Sequence, residues 1–389
     1  FESYLEILKI PPVRSIRCNT LKISPEKLKK RLEDNGWKIN QPWKDYPEVM
    51  IVEGKYANNM STREPTRFGL SETHEHRSTS QDELNDDKKN SNNDKQSSKV
   101  LPTLTSYPAK NMAKSVLSER FREFSVTPDL SEGANYQIAN GSECNLQDLS
   151  PGELGNSLEH LLGYYYIQEL ASMLPVLVLK PEKNQLVLDL CAAPGSKTTQ
   201  MSASMENTGT IIANEISIGR LRILATNLER CGVSNAIITK KEGSAFCKRL
   251  EKQNVQFDKI LLDAPCSGEG TLRSSPKTPI MWNINTVNLL SNMQKNLVSS
   301  AISLLKKEGE LVYSTCTHAP EENEEIVDFI LKNFPDMKIE KILLPIQSRQ
   351  GIKTWKDKEY LEDVKFACRI YPHVANTEGF FIAKFKKIK

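Results

Sequence analysis

The sequence predicts an α/β protein whose main body is a mostly parallel sheet covered by helices on both faces. Three observations lead to that class. Short apolar runs, Leu186–Leu190, Thr210–Asn214, Ala236–Thr239 and Lys259–Asp263, recur at spacings that leave room for a helix between them. Between the second and third runs Leu221, Leu224, Ala225 and Leu228 fall on one helical face. The first run ends in a turn of small residues that opens a helix, and open sheets of this kind bind ligands at the carboxyl ends of their strands.

The elements follow in chain order. Residues 12–40 read as a small α/β unit. Ser15–Asn19 is a short strand. Ser24 caps a helix with Pro25 in its first turn and Leu28 and Leu32 on its apolar face. Gly36 ends that helix, and Trp37–Ile39 and Val49–Val52 read as further strands. Residues 70–100 have no aromatic side chain and almost no aliphatic ones, so burial cannot offset chain entropy there, and the stretch reads as a disordered insert. With 101–150 counted as irregular, the expected organisation is 1–69, an insert over 70–150, and a main domain over 151–389. In that domain a helix starts at Lys197. A long helix over 286–306 turns Leu290, Met293, Leu297 and Ala301 one way. Glu310–Ser314 is a strand, Pro320–Lys332 a helix and Gly379–Phe385 a closing strand.

Composition narrows the function. The 389 residues carry a net charge of +3, and the stretch from Ser71 to Val100 holds seven acids and five bases, which leaves +5 on the remainder. A mildly basic chain suits a nucleic-acid partner. No apolar run is long enough to span a bilayer. The chain opens on Phe1 rather than Met, which reads as a sequence with something upstream, and its first residues have the character of folded protein, not of a signal peptide. Eight cysteines lie at 18, 144, 191, 231, 247, 266, 316 and 368. None is paired at CxxC spacing and no His cluster accompanies them, which argues against a zinc site and against a disulfide framework.

Three segments carry chemistry. In LDLCAAPGSKT, Leu188–Thr198, small residues let backbone approach a ligand, and the helix start favours an anionic group. Glu215, after the second strand, is placed to meet ribose hydroxyls. The spacing is not GxGxxG, which disfavours a nicotinamide cofactor. LLDAPCSGEG, Leu261–Gly270, brings Asp263, Pro265 and Cys266 to the same sheet edge. YSTCTHAPEEN, Tyr313–Asn323, brings Cys316 there just before a helix, where a thiol is easier to ionise. Singly, each cysteine reads as a small buried hydrophobe. Two at neighbouring strand ends beside an acid read as a reactive constellation.

With these segments in this order the chain resembles the Nop/Sun family of RNA (cytosine-C5) methyltransferases. RSIRCNTLKIS (Arg14–Ser24), HLLGYYYIQELASMLP (His160–Pro175) and RIYPHVANTEGFFIAKFKK (Arg369–Lys387) extend the resemblance to residues 1–45 and 155–389, while the middle does not match. The resemblance implies a class I (Rossmann-like) methyltransferase sheet preceded by an RRM-like region, S-adenosyl-L-methionine as donor and RNA (tRNA or rRNA) as partner. The scattered cysteines themselves read as free thiols in a reducing cytoplasm, and a monomer with no metal and no membrane attachment is expected. Position by position, Cys316 matches the nucleophile, Cys266 the cysteine that helps release product, and Lys197 a lysine near donor and base. Cys191, Ala192, Ala193, Pro194, Gly195, Ser196, Lys197, Glu215, Arg220, Glu242 and Asp263 match donor contacts. Glu215 and Glu242 stand where the family usually has Asp, and the longer side chain makes Glu242 the weakest of these assignments.

The chemistry fits a thiol. Carbon 5 of cytosine is a poor nucleophile until a thiolate adds at carbon 6, and Asp263 is assigned to ring nitrogen 3, where charge develops. His318 reads as structural, with proton transfer the minor alternative. His373 either touches RNA or packs. Tyr164–Tyr166 suits base stacking or core packing equally. Lys306–Lys307 and Lys384–Lys389 read as solvated faces. Two rival functions remain at this stage. In a DNA cytosine methyltransferase Cys266 would be the attacker. A non-catalytic RNA-binding assembly factor would have no use for both cysteines.

Overall fold

The structure, a computed structural model, describes residues 2–56, 146–147, 152–275 and 277–389. Of the expected insert, 70–150, only residues 146–147 are described, where they form a short strand, and both of its boundaries lie outside the described residues.

The first sheet is antiparallel. It contains β1 (Ser15–Cys18), β2 (Trp37–Asn40), β3 (Val49–Tyr56), β4 (Leu146–Gln147) and β5 (Tyr165–Ile167), in the order β2-β3-β1-β5 with β4 beside β3. The helix Pro25–Asp34 packs on it through Leu28 and Leu32, both fully buried. Ser24 caps this helix by accepting from Lys27 N–H, and Gly36, at φ +84°, turns the chain into β2. The sheet also draws on the far side of the insert: β5 lies beyond residue 151 and pairs with β1, Arg17 opposite Tyr166. Tyr165 and Tyr166 are therefore buried parts of this sheet.

The main sheet holds β6 (Leu186–Asp189), β7 (Thr210–Asn214), β8 (Ala236–Thr239), β9 (Phe257–Asp263), β10 (Leu305–Thr315), β11 (Met337–Glu340), β12 (Arg349–Gln350), β15 (Cys368–Ile370) and β16 (Phe380–Lys387). A separate hairpin pairs β13 (Thr354–Trp355) with β14 (Lys358–Glu359). The order is β12-β15-β16-β10-β9-β6-β7-β8. The run β10-β9-β6-β7-β8 is parallel, and β16 enters antiparallel beside β10. Connections leave β6 in one direction and reach β9 in the other, so the switch point lies between these two strands. One face is filled by Leu188, Ile260, Leu262, Leu297, Ala301, Leu311 and Phe381. The other holds Leu174, Val187, Met201, Ile211, Leu261, Val312 and Ile382. Adjacent residues of β6, β9 and β10 thus go to opposite faces, the double burial that makes these strands read as unbroken apolar runs.

The long helix runs from Ile284 to Ile302, and its buried side matches the expected one at Leu297 and Ala301 but not at Met293. Met293 is exposed, and the buried stripe is Val287, Ser291, Gln294, Leu297, Val298 and Ala301. Two polar side chains occupy the core face because they hold loops of the site, as shown below. The last major helix begins at Glu324 rather than Pro320, and residues 316–323 form an extended loop before it.

Candidate active site

The site follows from strand register. Parallel pairing sets Asp263 on β9 opposite Ser314 on β10. Both strands then end, and two or three residues on, the loops bring Cys266 and Cys316 together with their sulfurs 3.3 Å apart. Cys316 N–H also donates to Cys266 Sγ at 3.3 Å. Beneath them Gly270 donates to the Cys316 carbonyl and Gly379 to the Gly270 carbonyl, at 2.9 and 2.8 Å. A Cβ on Gly270 would lie 2.2 Å from the Gly379 oxygen, so this close approach requires glycine.

The two thiols are not equivalent. The hydrogen bond between the two sulfurs, in which either can donate, holds the Cys316 thiol below its ordinary value, helped by Lys197 and opposed by burial and by Asp263. The same bond, burial and the charges of Cys316 and Glu322 hold Cys266 well above its ordinary value. Cys316 is thus the more acidic of the two thiols.

Lys197 and Asp263 form the polar floor. Lys197 Nζ donates to Asp263 Oδ2 at 2.7 Å and to Ser172 Oγ at 3.0 Å, and Ser314 Oγ donates to Asp263 Oδ1 at 2.7 Å. The ammonium also lies 5.3 Å from the Phe380 ring centre. Beside this pair a cavity of about 330 Å³ opens. Its walls include Cys191, Ala192, Ala193, Pro194, Ser196, Lys197 and Asp263 from the expected donor set, and Tyr166, Gln168, Glu169, Ser172 and Asp189 from outside it.

Gly195, at φ +104°, shapes the turn, and a Cβ there would meet Leu224 Cδ1 at 3.0 Å. The helix Ser196–Ser204 has no side-chain cap, so its first amides face the turn. Acidic walls beside an ammonium and free amides suit the zwitterionic end of an amino-acid-derived donor, so the residues fit such a group.

Three expected donor contacts stand apart from this cavity. Glu215 is buried at the end of β7, accepts from Ser217 N–H at 2.8 Å, and is bridged at 3.4 Å by Arg220. Arg220 also donates to the Ala193 carbonyl at 2.6 Å, closing over the turn. Glu242 spends both carboxylate oxygens capping the helix Gly243–Lys252, on Ser244 N–H and Ala245 N–H.

His318 stacks on Tyr371 at 5.2 Å. Burial, with Arg369 and His373 adding to it, pushes its pKa down to about 3, so it is a neutral packing residue. His373 sits edge-on to Tyr4.

Several site residues carried no signal of their own. Ser172 sits in an apolar helix, Leu170–Leu179, and reads as filler. Glu169, raised to about 7 by burial, caps that helix and accepts from Glu378 N–H at 2.9 Å, a link between residues distant in sequence. Asp189, buried beneath the turn, is raised to about 7 by burial while Thr198 Oγ1 donates to it at 2.7 Å. Its place in LDLCAAPG was the one available hint.

A class I sheet with two opposed thiols beside a lysine–aspartate pair, at the switch-point edge, is the arrangement of a methyltransferase fold. A model of the family described as 16S rRNA methyltransferase RsmB/F matches residues 176–386. The tRNA (cytosine(49)-C(5))-methyltransferase of Pyrococcus abyssi is 42% identical over 274 residues, covering 70% of this chain and 83% of that one. The ribosomal RNA small subunit methyltransferase F of Psychromonas ingrahamii is 43% identical over 255 residues, 64% of this chain and 50% of that one, so the chain spans about half the length of such relatives. Among solved structures, a methyltransferase homolog from Pyrococcus horikoshii superposes with TM-score 0.64 at 28% identity over 99% of this chain and 90% of that one. NSun6 from the same organism, solved with SFG, gives 0.64 at 25% identity over 100% and 94%. The chain belongs to the RsmB/F family of methyltransferases.

Proposed function

We propose that this protein is an S-adenosylmethionine-dependent RNA (cytosine-C5) methyltransferase that works through a covalent bond between Cys316 and carbon 6 of the target cytosine. The observation that supports the mechanism is the thiol pair itself, with the two sulfurs 3.3 Å apart beside the Lys197–Asp263 pair, and Cys316 is read as the acceptor of their hydrogen bond. The names of the relatives support RNA as substrate and leave tRNA and rRNA both represented, with tRNA favoured. The enzyme is read as a cytoplasmic monomer that needs no metal. No described helix is long and apolar enough to cross a membrane, and no described cluster of side chains suits a metal.

The chain's own groups divide the work. Cys316 Sγ adds to carbon 6, and the Lys197–Asp263 pair supplies a proton donor and a counter-charge for ring nitrogen 3. S-adenosylmethionine, when bound, supplies the methyl group as a sulfonium. The turn 191–197 and Glu215 hold that donor at the strand ends. After transfer a base takes the carbon 5 proton, the electron pair of that bond re-forms the carbon 5–carbon 6 double bond, and Cys316 leaves carbon 6 as a thiolate; Cys266 is assigned to this second half.

Single substitutions separate the two cysteines. Cys316→Ala should abolish methyl transfer and leave no covalent complex. Cys266→Ala should attack and transfer, then stall, giving a denaturation-resistant protein–RNA band that the double variant lacks. A band with Cys316→Ala and none with Cys266→Ala would reverse the roles and make Cys266 the attacker.

A further inference from the structure

Behind the thiol pair lies a buried acid that these steps do not use. Glu322 is fully buried. Its Oε2 accepts from Ser267 N–H at 3.1 Å and from Gln294 Nε2 at 2.8 Å, and Oε1 shares the Ser267 bond at 3.3 Å. The same Gln294 nitrogen donates to the Pro265 carbonyl at 2.8 Å. That carbonyl can only accept, so the amide orientation is fixed and faces Glu322 as a donor. Cys266 therefore sits between a carbonyl and an amide that are both tied to the Glu322–Gln294 pair. Ser267 Oγ meets Thr317 Oγ1 at 2.8 Å, which joins this loop to the one bearing Cys316.

The charge on Glu322 has no cationic partner among the described residues, and an acid buried without one is costly. Burial raises its pKa, but the hydrogen bonds from Ser267 and Gln294 oppose that shift, and both are made to acceptor oxygens. The charged groups around the two thiols differ. Glu322 adjoins Cys266, and Glu269 acts on Glu322 in turn. Lys197 and its partner Asp263 face Cys316. Tyr313, whose hydroxyl donates to the Glu322 carbonyl oxygen at 2.6 Å, is buried beneath both.

We infer that Glu322 is a positioning residue: anchored by Gln294, it fixes the Cys266 loop and keeps Cys266 as the neutral thiol that donates to Cys316. Which cysteine ionises is then set by the uncompensated carboxylate behind Cys266, whereas Cys316 faces a lysine–aspartate pair whose opposite charges offset one another. The inference rests on the reading of Cys316 as nucleophile, but its test needs neither RNA nor donor.

The test is iodoacetamide alkylation of the intact chain across a pH series, with each cysteine followed by peptide mass spectrometry. In the unaltered protein Cys316 should react with a midpoint at least one pH unit below that of Cys266. Glu322→Gln keeps shape and removes charge. It should lower the Cys266 midpoint and narrow the gap, changing the relative alkylation of the two thiols at pH 7 by about tenfold. Gln294→Met, which frees the carboxylate from one donor, should act in the same direction and less strongly, and it serves if Glu322→Gln does not fold. Midpoints unchanged in a variant with an unaltered melting curve would overturn the inference, because a purely structural strut would not move them. A wild-type protein with the expected midpoints but no RNA methylation would leave this inference standing and refute the proposed function.

Discussion

The Lys197–Asp263 pair offers a prediction whose size follows from exposure. The lysine side chain is 9% exposed and the aspartate 29%. Asp263→Asn leaves an ammonium shut in with only Ser172 Oγ and the Phe380 face as partners, apart from the weaker amide oxygen. Breaking a fully buried pair costs about 3–5 kcal/mol. The retained amide acceptor and the open side of residue 263 reduce that to roughly 2–3 kcal/mol by the same reasoning. Lys197→Met leaves a carboxylate that water can reach and that still accepts from Ser314, so its cost should be about 1 kcal/mol. The double variant removes both charges and should cost about 1–2 kcal/mol, less than the sum of the single losses. At roughly 2 °C per kcal/mol for a chain of this size, calorimetry should show losses of about 5 °C for Asp263→Asn and about 2 °C for Lys197→Met. A larger loss for Lys197→Met, or strict additivity, would refute the view that burial of the ammonium dominates this pair.

Further outcomes follow from other groups. Glu215→Ala should weaken donor binding by about 1–3 kcal/mol, a 5- to 150-fold change in calorimetric Kd, and an unchanged Kd would place the ribose elsewhere. Asp189 has a folded pKa of about 7, above its ordinary value, so its contribution to stability is complete below about pH 4 and is lost as pH rises through 7. Asp189→Asn should therefore flatten the stability–pH curve between those limits, and a parallel curve would show that the slope arises elsewhere. RNA affinity should fall steeply with added salt as phosphate contacts release counterions, and a flat response would exclude a phosphate-tracking surface. A target cytosine must leave its stack to reach Cys316, so an open site should be methylated faster than a rigidly paired one of the same sequence, and equal rates would count against extrusion.

Much of this architecture was legible because the parallel strands are buried on both faces and flanked by Gly and Asn turns. The run Thr210–Asn214 and the cap at Ser24 emerge as read. The thiol pair was legible because both cysteines follow strand ends, where register does the rest. The long helix was misoriented in part, for a definite reason. Apolar periodicity put Met293 inside, whereas Ser291 and Gln294 take the core face to bond the Glu321 carbonyl, the Pro265 carbonyl and Glu322. Polar partners distant in sequence leave no periodic trace, and the same holds for Glu169 with Glu378. The pairing of β5 with β1 escaped notice because a three-residue strand between short helices has no pattern of its own.

Arg17 shows what that pairing means for dividing the chain. Its buried guanidinium donates to the Gln168 side chain, to the Ser196 carbonyl at 2.7 Å and to Thr199 Oγ1 at 2.8 Å, and thereby reaches from β1 to the first turns of the helix that carries Lys197. The segment matched to the family, 176–386, opens inside the helix Leu170–Leu179 and omits this arginine. Expressed alone, it would lose β5 and leave the Ser196 carbonyl and the Thr199 hydroxyl without their donor, at about 1–3 kcal/mol for each group that water cannot reach. Against a total stability of about 5–15 kcal/mol that is a large fraction. The stretch matched to the family is therefore smaller than the unit that Arg17 holds together, and excision at residue 176 would cut through that unit.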